Sequence, residues 1–129
     1  MSHKWIKMLY VVAGLYDGIL GIAFLFFGGG VFRLFDVTPP NHMGYVQFPA
    51  LLLLVFAAMF FRIAANPVEN RDLILYGCGL KLSYCAVVFW YEITVGIPSM
   101  WMPWAWADLV FLLLFLASWR NLRRPPQPA

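Results

Sequence analysis

Residues 45–65, YVQFPALLLLVFAAMFFRIAA, decide the fold class of this chain. They carry a single charged side chain, Arg62, near the end of the run. A helix needs about 20 predominantly apolar residues to cross the hydrocarbon core of a membrane, which is about 30 Å thick. This stretch therefore predicts a membrane-spanning helix and not the core of a soluble domain.

Three further apolar runs flank this one and predict helices at about 5–27, 67–95 and 104–119. The composition agrees, because 63% of the 129 residues are hydrophobic and only 12% are charged, unlike a soluble domain. We expect an all-α fold, an integral membrane four-helix bundle that residues 1–119 form as one domain. Such a bundle leaves no room for a soluble catalytic domain, a nucleotide-binding fold or a DNA-reading module.

The predicted connections differ in length. Residues 28–44, GGGVFRLFDVTPPNHMG, combine three glycines with a Pro-Pro pair and predict a loop along the membrane interface. Residues 66–69, Asn-Pro-Val-Glu, place a capping residue before a proline and a Glu, which predicts that helix 3 starts almost where helix 2 stops. Residues 120–129 are basic and proline-rich, and we expect a disordered cytoplasmic tail.

The first apolar run follows Lys4 and Lys7, as the apolar part of a secretory signal peptide follows basic residues. The run is longer than such a segment, Asp17 interrupts it, and no small-x-small cleavage pattern follows. We therefore expect helix 1 to be retained as a span.

Basic residues predict the orientation, because cytoplasmic loops of membrane proteins are enriched in Lys and Arg. Arg33 alone falls on one side of the predicted spans, and seven basic residues fall on the other: Lys4, Lys7, Arg62, Arg71, Arg120, Arg123 and Arg124. Both termini and the turn between helices 2 and 3 should face the cytoplasm. This distribution accounts for the net charge of +3, so we expect the lipid bilayer as a partner and no nucleic acid.

Four ionisable residues lie inside the predicted spans: Asp17, Lys81, Glu92 and Asp108. Each would cost a few kcal/mol against lipid, so we expect them to face the bundle interior, pair with one another or reach an interface. An ion pair between Asp17 and Lys81 would neutralise both. We expect Glu92 and Asp108 near the outer ends of helices 3 and 4, where Gln47 of helix 2 also enters.

Helix 3 places several of these groups on one face. Lys81, Tyr84 and Glu92 follow helical spacing, and Lys81 and Glu92 differ by about 20° around the axis. The sequence thus predicts an intramembrane polar seam of six residues: Asp17, Gln47, Lys81, Tyr84, Glu92 and Asp108. A structural ion pair that fixes helix register and a functional site remain equal alternatives for Asp17 and Lys81.

Glycines surround Asp17 on helix 1. Gly14 and Gly18 form a GxxxG spacing and Gly21 follows one turn later. Small residues let a neighbouring helix approach closely, so we expect these three to serve helix packing.

Signals for catalysis and for metal binding are absent from the sequence. No glycine-rich phosphate loop follows a strand, no nucleophile is paired with a base, and the spans hold no haem-type histidine pair. His3 and His42 are isolated, and a cluster of Glu92, Asp108 and His42 is the one arrangement that could hold a cation. We expect no catalytic residue, no metal and no cofactor.

The layout resembles the DoxX-like group of small bacterial membrane proteins. Four short spans, an acidic residue midway through helix 1 (Asp17) and a lysine in helix 3 (Lys81) carry the resemblance. The segments 45–50, YVQFPA, and 66–71, NPVENR, look specific to a family. The resemblance implies a location in the bacterial inner membrane and an association with quinone-linked membrane oxidoreductases.

Three hypotheses for function follow. The preferred one is a small membrane protein without catalysis of its own, which acts as an accessory or scaffold subunit or binds a small apolar ligand in its polar-seamed interior. Its partner would then be another membrane protein or a second copy of the chain. The second hypothesis is a proton-coupled transporter or channel-like oligomer that uses Asp17, Lys81 and Glu92. The third, a quinone-facing subunit of an oxidoreductase, rests on the family resemblance alone.

Overall fold

A computed structural model describes residues 1–122, and this part of the chain folds entirely into helices and their connections. The long helices are α1 (His3–Leu34), α2 (Gly44–Ala65), α3 (Arg71–Thr94) and α4 (Met102–Asn121), with a short 3-10 turn at Ser99–Trp101 before α4. Each is long and apolar enough to cross a membrane. The predicted all-α fold with four long apolar helices is confirmed. Most of the predicted tail, with Arg123 and Arg124, lies outside the described residues.

The four helices run alternately up and down. One buried cluster brings together the start of α1, the end of α2, the start of α3 and the end of α4, through Ile6, Ile63, Ile74 and Leu122 respectively. We call this end the base of the bundle. The closest packing joins α1 to α2 and α3 to α4. The architecture is therefore two helical hairpins that lie side by side.

Aromatic rings fill the core above the base. The ring of Phe115 lies 5.0 Å from that of Tyr10 and 5.2 Å from that of Phe60, measured between centroids. The hydroxyl groups of Tyr10 and Ser118 share a hydrogen bond of 2.6 Å that ties α1 to α4. All four side chains are fully buried. These contacts connect the two hairpins through their centre.

Helix α1 continues beyond its predicted end at residue 27. The backbone of Phe27 is non-helical and marks a kink, after which the helix resumes as far as Leu34. The prediction of a loop over the whole of 28–44 was therefore wrong for its first seven residues. Glycines weaken a helix, but Phe32 is buried against Phe24 and Trp101, with ring centroids 6.3 and 6.0 Å away. This packing outweighs the low helix propensity of three consecutive glycines.

Helix α3 begins at Arg71, four residues later than predicted. The expected capping contacts do form, since the side chain of Asn66 accepts a hydrogen bond from the Glu69 backbone and donates one to its carboxylate. The side chain of Asn70, however, donates to the backbone carbonyls of Arg62 and Asn66 at 3.1 and 3.0 Å. Such local bonds compete with helical ones, and 67–70 form a turn.

The other boundaries lie close to their predictions. Helix α2 starts one residue before the predicted 45–65, and α4 extends the predicted 104–119 by two residues at each end. The connection before α4 folds back into the bundle, because Met100 is buried and the ring of Trp101 stacks on that of Phe24 at 5.9 Å. Helix α4 therefore starts deeper in the bundle than α3 ends.

Candidate functional site

A buried ion triad joins three of the four helices. The ammonium group of Lys81 on α3 donates to the Oδ1 atom of Asp17 on α1 at 2.8 Å and to the Oδ1 atom of Asp108 on α4 at 3.0 Å. Asp17 and Lys81 are each only 1% exposed. The expected pairing of Asp17 with Lys81 is present, and Asp108 joins it.

Asp108 was expected near the outer end of helix 4, but it lies deeper, at the height of Lys81. Lys81 lies 13 residues, or about 20 Å of helix, before the end of α3 at Thr94, whereas Asp108 is six residues, or about 9 Å, after the start of α4. The two side chains meet because the connection folds inward and α4 starts deeper. Helix lengths alone could not reveal this offset.

Three aromatic rings surround the ammonium group of Lys81. The Nζ atom lies 5.1 Å from the ring centroids of Tyr16 and Phe111 and 5.7 Å from that of Phe60. Ring faces at such distances attract a cation, most strongly where water is excluded. The rings and the two carboxylates together enclose the end of the Lys81 side chain within an apolar bundle.

A cavity of about 710 Å³ adjoins the triad. Asp17 and Asp108 line it, together with residues of all four helices and of the connection between α1 and α2. Its walls are mostly aliphatic and aromatic side chains, among which Phe24, Leu53 and Phe56 are typical. The volume lies within the range of cavities that hold small molecules, which is about 300 to 1,000 Å³.

Three buried polar atoms on the residues that line this cavity have no hydrogen-bond partner. They are the hydroxyl of Tyr16, the Oδ2 atom of Asp17 and the indole nitrogen of Trp104. Buried polar groups in folded proteins nearly always find a partner, so each of these three atoms calls for one, such as a water molecule, an ion or a bound molecule. Asp17 thus contributes to both the triad and the cavity.

Tyr84 also lines the cavity, as its place in the predicted seam suggested. Its hydroxyl donates a hydrogen bond of 2.9 Å to the backbone carbonyl of Trp101. This contact fixes the turn that precedes α4. Tyr84 therefore positions one wall of the cavity.

Glu92 and Gln47 do not join the other members of the predicted seam. Both side chains are exposed, and neither lines the cavity. All residues from 90 to 95 are exposed because α4 starts too deep to cover the last turns of α3. Helical spacing gave Glu92 the same direction as Lys81, but it could not tell whether a neighbouring helix lies at that height.

Metal binding finds no support in residues 1–122. No three His, Cys, Asp or Glu side chains within that range lie close enough together to hold an ion. The arrangement of Glu92, Asp108 and His42 considered from the sequence does not form, since Asp108 is buried beside Lys81 while the other two are exposed.

Sequence reasoning missed two contributors to this site. Tyr16 had no signal of its own apart from being next to Asp17, and Trp104 was predicted only as the first residue of helix 4. Their rings lie 6.4 Å apart, and both residues line the cavity.

In comparisons with known proteins, no family model, no curated protein and no solved structure matches this chain.

Proposed function

We propose that this protein is a multi-pass protein of the bacterial inner membrane that binds a small apolar ligand between its helices. The outward faces of the bundle support the membrane location, because large apolar side chains such as Trp5, Phe26, Leu113 and Trp90 are mostly exposed. A soluble protein rarely exposes so much apolar surface. The four-span layout, with Asp17 and Lys81 in helices 1 and 3, supports a relation to the DoxX-like group.

The charge distribution supports an orientation with both termini in the cytoplasm. Within residues 1–122, the base of the bundle holds the Lys and Arg residues of the helix ends: Lys4, Lys7, Arg62, Arg71 and Arg120. Arg33 is at the opposite end, after the kink in α1. An excess of basic residues marks the cytoplasmic side of a membrane protein.

Reporter fusions test this orientation. A green fluorescent protein fused after Asn66 should fluoresce, since that reporter folds in the cytoplasm, while alkaline phosphatase fused after Asn41 should be active, since that enzyme folds outside. The controls exchange the two reporters: green fluorescent protein after Asn41 should not fluoresce, and alkaline phosphatase after Asn66 should be inactive. Active alkaline phosphatase after Asn66 would contradict the orientation.

The cavity is the observation that carries the ligand-binding proposal. It combines apolar walls with a few convergent polar groups, which is the composition of small-molecule sites. The polar groups are concentrated on Tyr16, Asp17 and Trp104 and would orient the ligand. An apolar molecule with one polar head matches this distribution.

Filling the cavity tests ligand binding. The probe is 4-phenylbutanol, a neutral apolar alcohol, measured by equilibrium dialysis against nanodiscs with and without protein. Leu53→Trp places a large ring in the cavity wall, so we expect it to remove most of the retention above that of empty nanodiscs. Val55→Trp, on the exposed face of the same helix, is the matched control and should retain the probe like the wild type.

Two outcomes would contradict ligand binding in this cavity. One is a wild type that retains no more probe than empty nanodiscs. The other is equal retention by Leu53→Trp and Val55→Trp, which would place the bound alcohol on the lipid-facing surface of the protein.

The other hypotheses receive less support. A proton-coupled transporter was expected to use Asp17, Lys81 and Glu92, but Glu92 is exposed and lies outside the cavity. A scaffold role would require no cavity, although it is compatible with one. A quinone-facing subunit would use the same cavity with a different ligand, so the dialysis experiment applies to that hypothesis too.

A further inference from the structure

The buried triad carries an unequal number of charges. Asp17 and Asp108 provide two carboxylates, and Lys81 provides one ammonium group. No other Lys, Arg or His nitrogen of residues 1–122 lies within 4.0 Å of either carboxylate. When both carboxylates are ionised, one negative charge is left without a partner inside the bundle. A buried charge of this kind is costly, so a second cation or a proton must balance it.

Neither Oδ2 atom of the triad accepts a hydrogen bond within residues 1–122, and the one that is fully buried belongs to Asp17. Its residue is 1% exposed, and Asp17 lines the cavity. A carboxylate oxygen can only accept hydrogen bonds, so its partner must be a donor. Tyr16 directly precedes Asp17 in the sequence, and its hydroxyl group also has no partner. The hydroxyl oxygen can accept a second hydrogen bond from the same donor group.

Several of the cavity walls are aromatic. The rings of Tyr16 and Trp104 lie 6.4 Å apart, and those of Phe24 and Trp101 are stacked at 5.9 Å, and all four residues line the cavity. Aromatic faces bind organic ammonium groups, and the same bundle already surrounds Lys81 with rings. Charge, hydrogen-bond acceptors and walls therefore favour the same kind of ligand.

We propose that the ligand is an amphipathic organic cation, a protonated amine on an apolar body. Its ammonium group donates to Oδ2 of Asp17 and balances the second carboxylate of the triad. Its apolar body occupies the cavity against the aromatic and aliphatic walls. This inference rests on the proposed ligand-binding function and specifies its chemical class.

Three probes with one apolar body and different head groups test the inference. They are 4-phenylbutylammonium, 4-phenylbutanol and 4-phenylbutyrate, and each is dialysed against nanodiscs of zwitterionic phosphatidylcholine with and without protein. The alcohol can also accept a hydrogen bond from the indole of Trp104, so it represents a site selected by neutral hydrogen bonding. Retention by empty nanodiscs is subtracted for each probe.

We expect wild-type protein to bind the ammonium probe about tenfold more tightly than the alcohol, and the carboxylate probe least, because a charge-assisted hydrogen bond replaces a neutral one. Asp108→Asn removes the excess negative charge and leaves the pair between Asp17 and Lys81, so its ratio of ammonium to alcohol affinity should fall close to one. Asp17→Asn removes the acceptor and should lower the ratio as well. Glu92→Gln removes a carboxylate outside the cavity and should leave the wild-type ratio unchanged.

The outcomes separate this inference from the function on which it rests. Equal binding of the ammonium and alcohol probes to the wild type would show that a proton balances the triad, and it would overturn the inference while ligand binding stands. An Asp108→Asn variant that keeps the wild-type ratio of ammonium to alcohol affinity would also overturn the inference. Retention of none of the probes above empty nanodiscs would overturn both proposals.

Discussion

Replacement of Lys81 by methionine should lower the free energy of unfolding by about 3–5 kcal/mol, the range found when one partner of a buried ion pair is removed. Methionine keeps most of the apolar stem of lysine but removes the ammonium group. The carboxylates of Asp17 and Asp108 would then lie buried with no cation. Denaturant or thermal unfolding of the purified protein in mild detergent measures the loss, and Lys4→Met, on the exposed start of α1, is the matched control.

The stability of combined variants tests whether the three groups act together. Lys81→Met with Asp17→Leu still leaves the Asp108 carboxylate without its partner, so this pair should recover only part of the loss. The triple variant that adds Asp108→Leu removes every charge of the triad and should recover most of it, because apolar side chains can replace a buried ion network. Losses that simply add up across the variants would contradict a shared triad.

Gly21→Ala should lower the free energy of unfolding by about 1–3 kcal/mol, the typical cost of adding a methyl group where packing leaves no room. A Cβ atom at Gly21 would lie 2.9 Å from the backbone carbonyl oxygen of Ala50 and 3.0 Å from the side chain of Leu54. The backbone atom cannot rotate away, so helices α1 and α2 would have to separate. Thermal unfolding in detergent measures the change.

Two other glycines provide matched controls for this substitution. Gly79 has open space where a Cβ atom would be, and at Gly18 the nearest atom is 3.7 Å away, on Ala57. Alanine favours a helix over glycine by about 0.5–1 kcal/mol, so Gly79→Ala and Gly18→Ala should leave stability unchanged or raise it. If Gly21→Ala behaved like these controls, the close approach of α1 and α2 at Gly21 would not contribute to stability.

The lengths of the apolar runs predicted the helix boundaries well where the local sequence determines them. Helix α2 differs by a single residue from its prediction, since its long apolar run follows a connection that contains a Pro-Pro pair and ends at Asn66. The end of α1 and the start of α3 were predicted less well. Contacts of Phe32 across the bundle extend α1, and the side chain of Asn70 delays α3, and neither effect is visible in the local pattern.

The candidate site was predicted in part, for a similar reason. The cost of a charge in an apolar helix was enough to predict the pairing of Asp17 with Lys81. Helical periodicity gives the direction of a side chain but not the height of the neighbouring helix, so the prediction included Glu92 in the seam and missed the contact between Asp108 and Lys81. The cavity depends on the shapes of all four helices together, and no local pattern could indicate it.

The distribution of the triad over the two hairpins has a consequence for biosynthesis. Hairpin α3–α4 carries Lys81 and Asp108 and can neutralise its own charges, whereas hairpin α1–α2 carries only Asp17 and leaves the ribosome first. In the membrane that we propose for this protein, the newly made first half would hold a buried carboxylate without a cation until α3 is synthesised. A chain that stops after α2 should therefore be less stable in that membrane than the complete chain, because nothing neutralises Asp17.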